Sequence, residues 1–237
     1  MKYCALTEKG KRRHNEDFVF VPANGEVALA VVADGMGGHK AGDTASAMAV
    51  EVMVAEIRGG GASPERLLKG AVEAANAAVY AASRQNSECM GMGTTAVLAM
   101  PFESSYVAAN IGDSRIYHYH DGILTQISRD HSYVQELVDA GIITPSEAAA
   151  HPKRNIITRA IGTAKSEAAD IFSGDWKAGD ILMLCTDGLY SALEDMDMAR
   201  ILSEESCLED ACERLIREAL YGGSTDNISV AMILNEV

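Results

Sequence analysis

Apolar residues along this chain follow two rhythms. Short runs rich in Val, Ile, Leu and Tyr, bounded by Gly, Asp, Asn or Pro, predict strands, while long alanine-rich stretches predict helices. Strands are predicted over residues 2–6 and 18–21 and, past an Asn24-Gly25 hairpin turn, over 27–33. Helices follow over 41–57 and, beyond a glycine-rich linker at 58–64, from the Ser63-Pro64-Glu65 cap to about Gln85. From Gly93 the period becomes that of an antiparallel meander, with strands over 94–100, 105–111, 115–119 and 123–127. A polar insert at 131–155 carries helix-like pieces at 134–140 and 145–150. Strands return at 170–176 and 181–185, helices at 195–204 and 207–221, and a last strand at 228–234. Helices covering antiparallel sheets in one α+β domain is the expected class.

The stretch V-A-L-A-V-V-A-D-G-M-G-G, from Val27 to Gly38, organises the rest. A buried strand that ends in a carboxylate, followed by a turn of little side-chain bulk, leaves Asp34 and the Gly35 carbonyl free to approach a ligand. Hard divalent cations take such oxygen donors. Alone, Asp34-Gly35 reads first as a plain turn. The pattern recurs, however, in I-L-M-L-C-T-D-G at Asp187, in reverse order in D-N-I-S-V-A-M-I at Asp226, and in the turn A-N-I-G-D-S-R at Asp113. Glu16-Asp17 adds an acidic pair just ahead of a strand. Gathered together, these acids would repel one another without cations, and the absence of a matching Cys or His cluster favours Mg²⁺ or Mn²⁺ over zinc.

Composition narrows the partners. The chain has 237 residues, 48% of them hydrophobic, enough for a sizeable core. Its net charge of −14 argues against nucleic acid or an anionic membrane as a bulk partner. No apolar run approaches a bilayer span, and the start lacks a signal-peptide segment. Five cysteines without a C-x-x-C fit a reduced, cytoplasmic setting, with Cys207 and Cys212 packing on a helix.

The set R-x-x-x-E-D, D-G-M-G-G, G-T-T, G-D-S-R, D-H-S, D-G-L and D-N, in that order from Arg12 to Asn227, resembles the metal-dependent protein phosphatase 2C (PPM) family in its compact bacterial form. The resemblance implies a four-layer αββα sandwich, two antiparallel sheets flanked by helix pairs, in one catalytic domain over 1–237. It further implies a binuclear Mn²⁺ or Mg²⁺ centre whose bridging hydroxide attacks phosphorus directly, releasing phosphate from phosphoserine and phosphothreonine in proteins marked by a serine/threonine kinase. By the same resemblance Asp34 bridges both metals and Gly35 lends its carbonyl. Asp187 and Asp226 ligate the other metal, Glu16 and Asp17 hold waters, and Asp113 joins Asp187 at a third, weaker site. Arg12, four residues before Glu16, is the phosphate-binding arginine, with Arg13 a neighbour that the sequence does not exclude. The insert at about 131–155 corresponds to a flap beside the active site that influences substrate choice.

One position departs from the pattern. Many eukaryotic members carry a histidine where Met36 stands, leaving His39 or a water as the leaving-group acid. Plainer readings stand beside these: Asp113 as a turn residue paired with Arg115, and His118 and His120 as sheet surface. His131 and His151 bracket the insert with no chemistry assigned. Two other functions are also weighed: a regulatory module without metals, which the complete acid set disfavours, and a Mg²⁺-dependent hydrolase of small phosphate esters.

Overall fold

The computed structural model describes residues 1–23, 27–37, 41–85 and 87–236. It contains two antiparallel sheets packed face to face. One has the order β1 (Lys2–Glu8), β11 (Ile228–Leu234), β10 (Ile181–Cys185), β7 (Arg115–His120), β8 (Ile123–Gln126). The other has β2 (Asp17–Phe20), β3 (Ala30–Met36), β5 (Ala96–Pro101), β6 (Ser105–Ile111), β9 (Asp170–Asp175), with the short β4 (Gly93–Thr94) also pairing with β3.

Alternation along the central strands builds three apolar layers. Leu182 and Leu184 of β10, Ala231 and Ile233 of β11, and Ala30 and Val32 of β3 meet between the sheets. Ile181, Met183 and Cys185 point the other way, against α6 (Asp195–Glu204) and α7 (Leu208–Tyr221). Val31 and Ala33 point outward from the second sheet, against α1 (Ala41–Gly59) and α2 (Pro64–Gln85). Strands buried on both faces have no polar side, which explains why these runs are continuously apolar. In α1 the inward stripe is Ala41, Ala45, Ala49 and Met53, a four-residue spacing that lets small side chains bring helix and sheet close together. Pro64 opens α2 as expected of a first helical residue. The result is the expected α+β sandwich, αββα in layers.

Several boundaries differ from the sequence reading, each for a tertiary reason. The organising strand begins at Ala30 rather than Val27 and runs through Asp34 to Met36, because Gly35 and Met36 pair with Thr94 and Gly93. The strand expected over 94–100 divides into β4 and β5 on either side of Thr95, whose hydroxyl and backbone N–H are both committed to Asp34. Asp187 opens a short helix, α5 (Asp187–Tyr190), absent from the sequence reading. Cys207 caps α7, its Sγ accepting from the Asp210 N–H at 3.4 Å, and Cys212 is buried on that helix. All five cysteines are free. The Asn24-Gly25 turn and His39 lie outside the described residues. Within the insert, α3 (Tyr133–Asp139) and α4 (Pro145–Ala149) form near the expected places, α4 with a full Thr144–Glu147 capping box.

Candidate metal centre

Asp34 is held by its backbone, not its side chain. Its N–H donates to the Thr95 hydroxyl at 3.0 Å, and its carbonyl accepts from Thr95 N–H at 2.9 Å and from the Thr94 hydroxyl at 2.8 Å. The G-T-T motif is therefore a clamp that leaves the carboxylate to other work. Gly35 follows because nothing larger fits: a Cβ there would lie 2.1 Å from the Gly42 carbonyl oxygen and 2.6 Å from that of Glu16.

Asp17 stands directly across from Asp34 in the β2–β3 ladder, a like-charge pairing that ordinarily destabilises a sheet. One Asp17 oxygen accepts from Thr186 at 2.9 Å and Ser229 at 2.7 Å, while the other is buried without a partner. Asp187, at the start of α5, likewise has one buried oxygen with no partner. Burial is the main cause that pushes Asp17 and Asp113 up to about 7 and Asp187 up to about 6, and neighbouring carboxylates raise all three further. Asp34 is raised well above the ordinary range by burial, then by Asp17, Asp187, Asp113 and Asp226. These residues come from five separate elements or junctions, and the sandwich brings them to one end.

The loop before β2 arrives by way of Asn227. Its side-chain oxygen accepts from Glu16 N–H at 2.8 Å, and its amide donates to the carbonyls of Lys9 and His14 at 2.8 and 2.9 Å. This cross-link sets Arg12 beside Asp226, Nη2 to Oδ2 at 2.7 Å. Arg12, Arg13, His14, Glu16, Gly37 and Asn227 line a cavity of about 370 Å³. A second cavity, of about 580 Å³, opens between Asp113 and Asp187 on one side and Val134, Val138, Pro145 and Ala148 of the insert on the other.

Four residues do more than their place in the sequence suggests. Asn227 was read only as part of a motif, and its three-way bonding depends on contacts more than 200 positions apart. His131, with no chemistry assigned from the sequence, is buried, its Nδ1 accepting the Gly112 N–H and its Nε2 facing Asp170. His118 and His120 were read as sheet surface, whereas both bond Asp180, at 2.9 and 2.6 Å. The plain alternative for Asp113 also changes. Arg115 forks onto Asp130, with contacts of 2.8–3.1 Å, and stacks 3.7 Å over the Tyr190 ring, so it is engaged away from Asp113.

A hard divalent cation fits these donors. Buried carboxylate oxygens lack partners, like charges face one another, and all the donors are oxygens. Among the described residues, no three His, Cys, Asp or Glu side chains close a cage on a single point.

Against known proteins, the protein phosphatase 2C family matches residues 9–219. The chain belongs to that family. It is 38% identical over its whole length to a putative protein phosphatase 2C-type of Streptococcus pyogenes, covering 98% of that protein. It is 36% identical over 96% of its length to a serine/threonine phosphatase of Listeria monocytogenes, covering 93% of it. The fold superposes on the Mycobacterium tuberculosis serine/threonine phosphatase PstP with a TM-score of 0.91 at 36% identity, covering 100% of this chain and 99% of that one. A PstP catalytic domain solved in complex with two manganese ions gives 0.86 at 35% identity, covering 98% and 96%. This phosphatase 2C chain has no helix, among the described residues, long and apolar enough to cross a membrane.

Proposed function

We propose that this protein hydrolyses phosphoserine and phosphothreonine in proteins at a Mn²⁺- or Mg²⁺-loaded acid centre. The observation that carries the reading is the pair of buried, partnerless carboxylate oxygens on Asp17 and Asp187, beside Asp34, with Arg12 at the rim. Asp34 would be shared by two cations, the Gly35 carbonyl would serve one of them, and Asp187 and Asp226 would hold the other. Asp113 shares a third, weaker site with Asp187. Glu16 and Asp17 steady waters, a role that suits Asp17 because two hydroxyls already fix one of its oxygens. Cations held there would supply acidification of water for direct attack on phosphorus and a screen for phosphate charge.

Arg12 binds the phosphate, its planar fork matching two oxygens at once. Its pairing with Asp226 keeps it within reach of the acids. The whole chain acts as one catalytic domain, and the insert at 131–155 forms one wall of the 580 Å³ cavity, where residues flanking the phosphorylated position would lie. We place the enzyme in the cytoplasm, opposed to a serine/threonine kinase. The test is phosphate release from a phosphothreonine peptide. Release that needs Mn²⁺ and stops with a chelator supports the reading; faster turnover of small phosphate metabolites than of phosphopeptides would overturn the protein-substrate assignment.

A further inference from the structure

His131 lies where the insert is rooted, outside the acid cluster, and none of the roles above uses it. It is 7% exposed. Its Nδ1 accepts the Gly112 N–H at 3.1 Å, and its own backbone N–H donates to the Gly112 carbonyl at 2.9 Å. Its Nε2 lies 2.9 Å from Arg159 Nη1 and 3.2 Å from Asp170 Oδ2. Because a ring nitrogen that accepts a backbone N–H carries no proton, this geometry assigns the proton of the neutral ring to Nε2, where it donates to Asp170. Arg159, itself only a donor, then bonds the same carboxylate at 3.0 Å and packs against Nε2 without a hydrogen bond to it.

Gly112 is not an ordinary loop residue. Its φ is +108°, and a Cβ there would sit 2.5 Å from the Thr95 side chain. Ser114, two residues on, shares a 2.7 Å hydrogen bond with the Thr95 hydroxyl, the group that accepts the Asp34 N–H. The intervening residue is Asp113. The turn 112–114 is thus wedged between the Asp34 clamp and the imidazole of His131.

We propose that His131 is a positioning residue for the acid centre: through Nδ1 it holds the Gly112–Asp113–Ser114 turn against Thr95, and so sets where Asp113 and Asp34 stand. It touches no substrate. Losing this acceptor leaves the buried Gly112 N–H unpaired and frees the turn to rotate away from Thr95. The bond from Nε2–H to Asp170, a carboxylate that Arg159 also holds, fixes the ring in the orientation that Nδ1 needs.

Paired substitutions separate the two ring nitrogens. His131→Asn keeps an acceptor near the position of Nδ1, whereas His131→Gln reaches the position of Nε2 and abandons Gly112. With a small aryl phosphate, which does not need the insert, His131→Gln is expected to lower kcat about tenfold with KM changed less than about twofold, and His131→Asn to stay within about threefold of the parent. The Gly112 amide should exchange slowly in the parent and in His131→Asn, and fast in His131→Gln. Independently of any variant, ring-nitrogen NMR of the parent should show the Nε2–H tautomer. An Nδ1–H tautomer, or His131→Asn as impaired as His131→Gln, would overturn the assignment. The kinetic arm rests on the phosphatase reading; an inactive parent would sink that reading and leave the tautomer and exchange arms to judge His131.

Discussion

Strand β10 runs from one aspartate to another, and the two live under opposite conditions. Asp180, just before Ile181, is buried, and burial alone would push its carboxyl up. Hydrogen bonds from His120, the Lys177 N–H and His118, at 2.6–2.9 Å, outweigh burial and hold it below the usual range. Asp187, past the far end of the same strand, is pushed up to about 6 by burial and by Asp226, with one oxygen unpaired. One residue type on one strand gives a saturated structural carboxylate at one end and a poised, under-satisfied one at the other. The difference lies in the neighbours: imidazoles and an N–H surround Asp180, while further carboxylates surround Asp187. Stored repulsion of that kind is retained in a fold when something cationic is to be bound there.

Exchanging the chemistry of these two ends tests the contrast most directly. Asp187→Asn should lower Mn²⁺-dependent kcat by about 10²–10³-fold, while the chelated protein melts no lower than the parent because a buried like charge has been removed. Comparable activity in that variant would take Asp187 out of the centre. Asp180→Asn should do the reverse, costing about 1–3 kcal/mol of unfolding free energy by denaturant titration with kcat retained. At the rim, Arg12→Gln should raise KM for a phosphopeptide about tenfold, since the guanidinium fork is lost. Calorimetry on the same variant should show Mn²⁺ binding a few-fold tighter, roughly 1 kcal/mol or less, because Asp226 no longer has Arg12 as a competing partner.

The smallest effect concerns pH. Without a bound cation, burial and then neighbouring carboxylates push Asp17 and Asp113 up to about 7 and Asp187 up to about 6, all above the ordinary 3.8. Folded-state values raised in this way mean stability that is complete below the ordinary value and lost as pH rises through 6 to 7. Chelated protein should therefore melt about 3–6 °C lower at pH 8 than at pH 5, and Mn²⁺ should erase or invert that slope in a thermal scan. His131 works in the opposite sense: burial lowers it, so its contribution is present above about 6.5 and fades at lower pH. A melting temperature that rose steadily from pH 5 to pH 8 without metal would contradict the placement of the acids.

Much of this was legible along the chain. The apolar runs that became β10, β11 and most of β3 have no polar face to hide, and Asp34, Asp187 and Asp226 are conspicuous because each interrupts such a run. The alanine stripes of α1 and α2 announced helices lying close on a sheet. What stayed hidden depended on contacts between distant positions. That β3 continues to Met36 follows from its pairing with Gly93 and Thr94. The engagement of Arg115 with Asp130 rather than Asp113, and of His118 and His120 with Asp180, could not be read from neighbours in sequence. Asn227 and His131 looked like ordinary polar residues because the groups they bond were far away along the chain.

By itself, then, the sequence determined the inventory: which runs must be buried, where they are interrupted by acids, and that the acids outnumber any nearby cations. Patterns of period 2 and 3.6 and strings of oxygen donors are local properties, and local properties survive in one dimension. Tertiary structure alone decided which carboxylates face one another, which are already satisfied, and which backbone turn each is mounted on. Those outcomes depend on distances between residues as much as 214 positions apart for Arg12 and Asp226 and 218 for Asn227 and Lys9, and electrostatic and hydrogen-bond energies exist only once such distances are set.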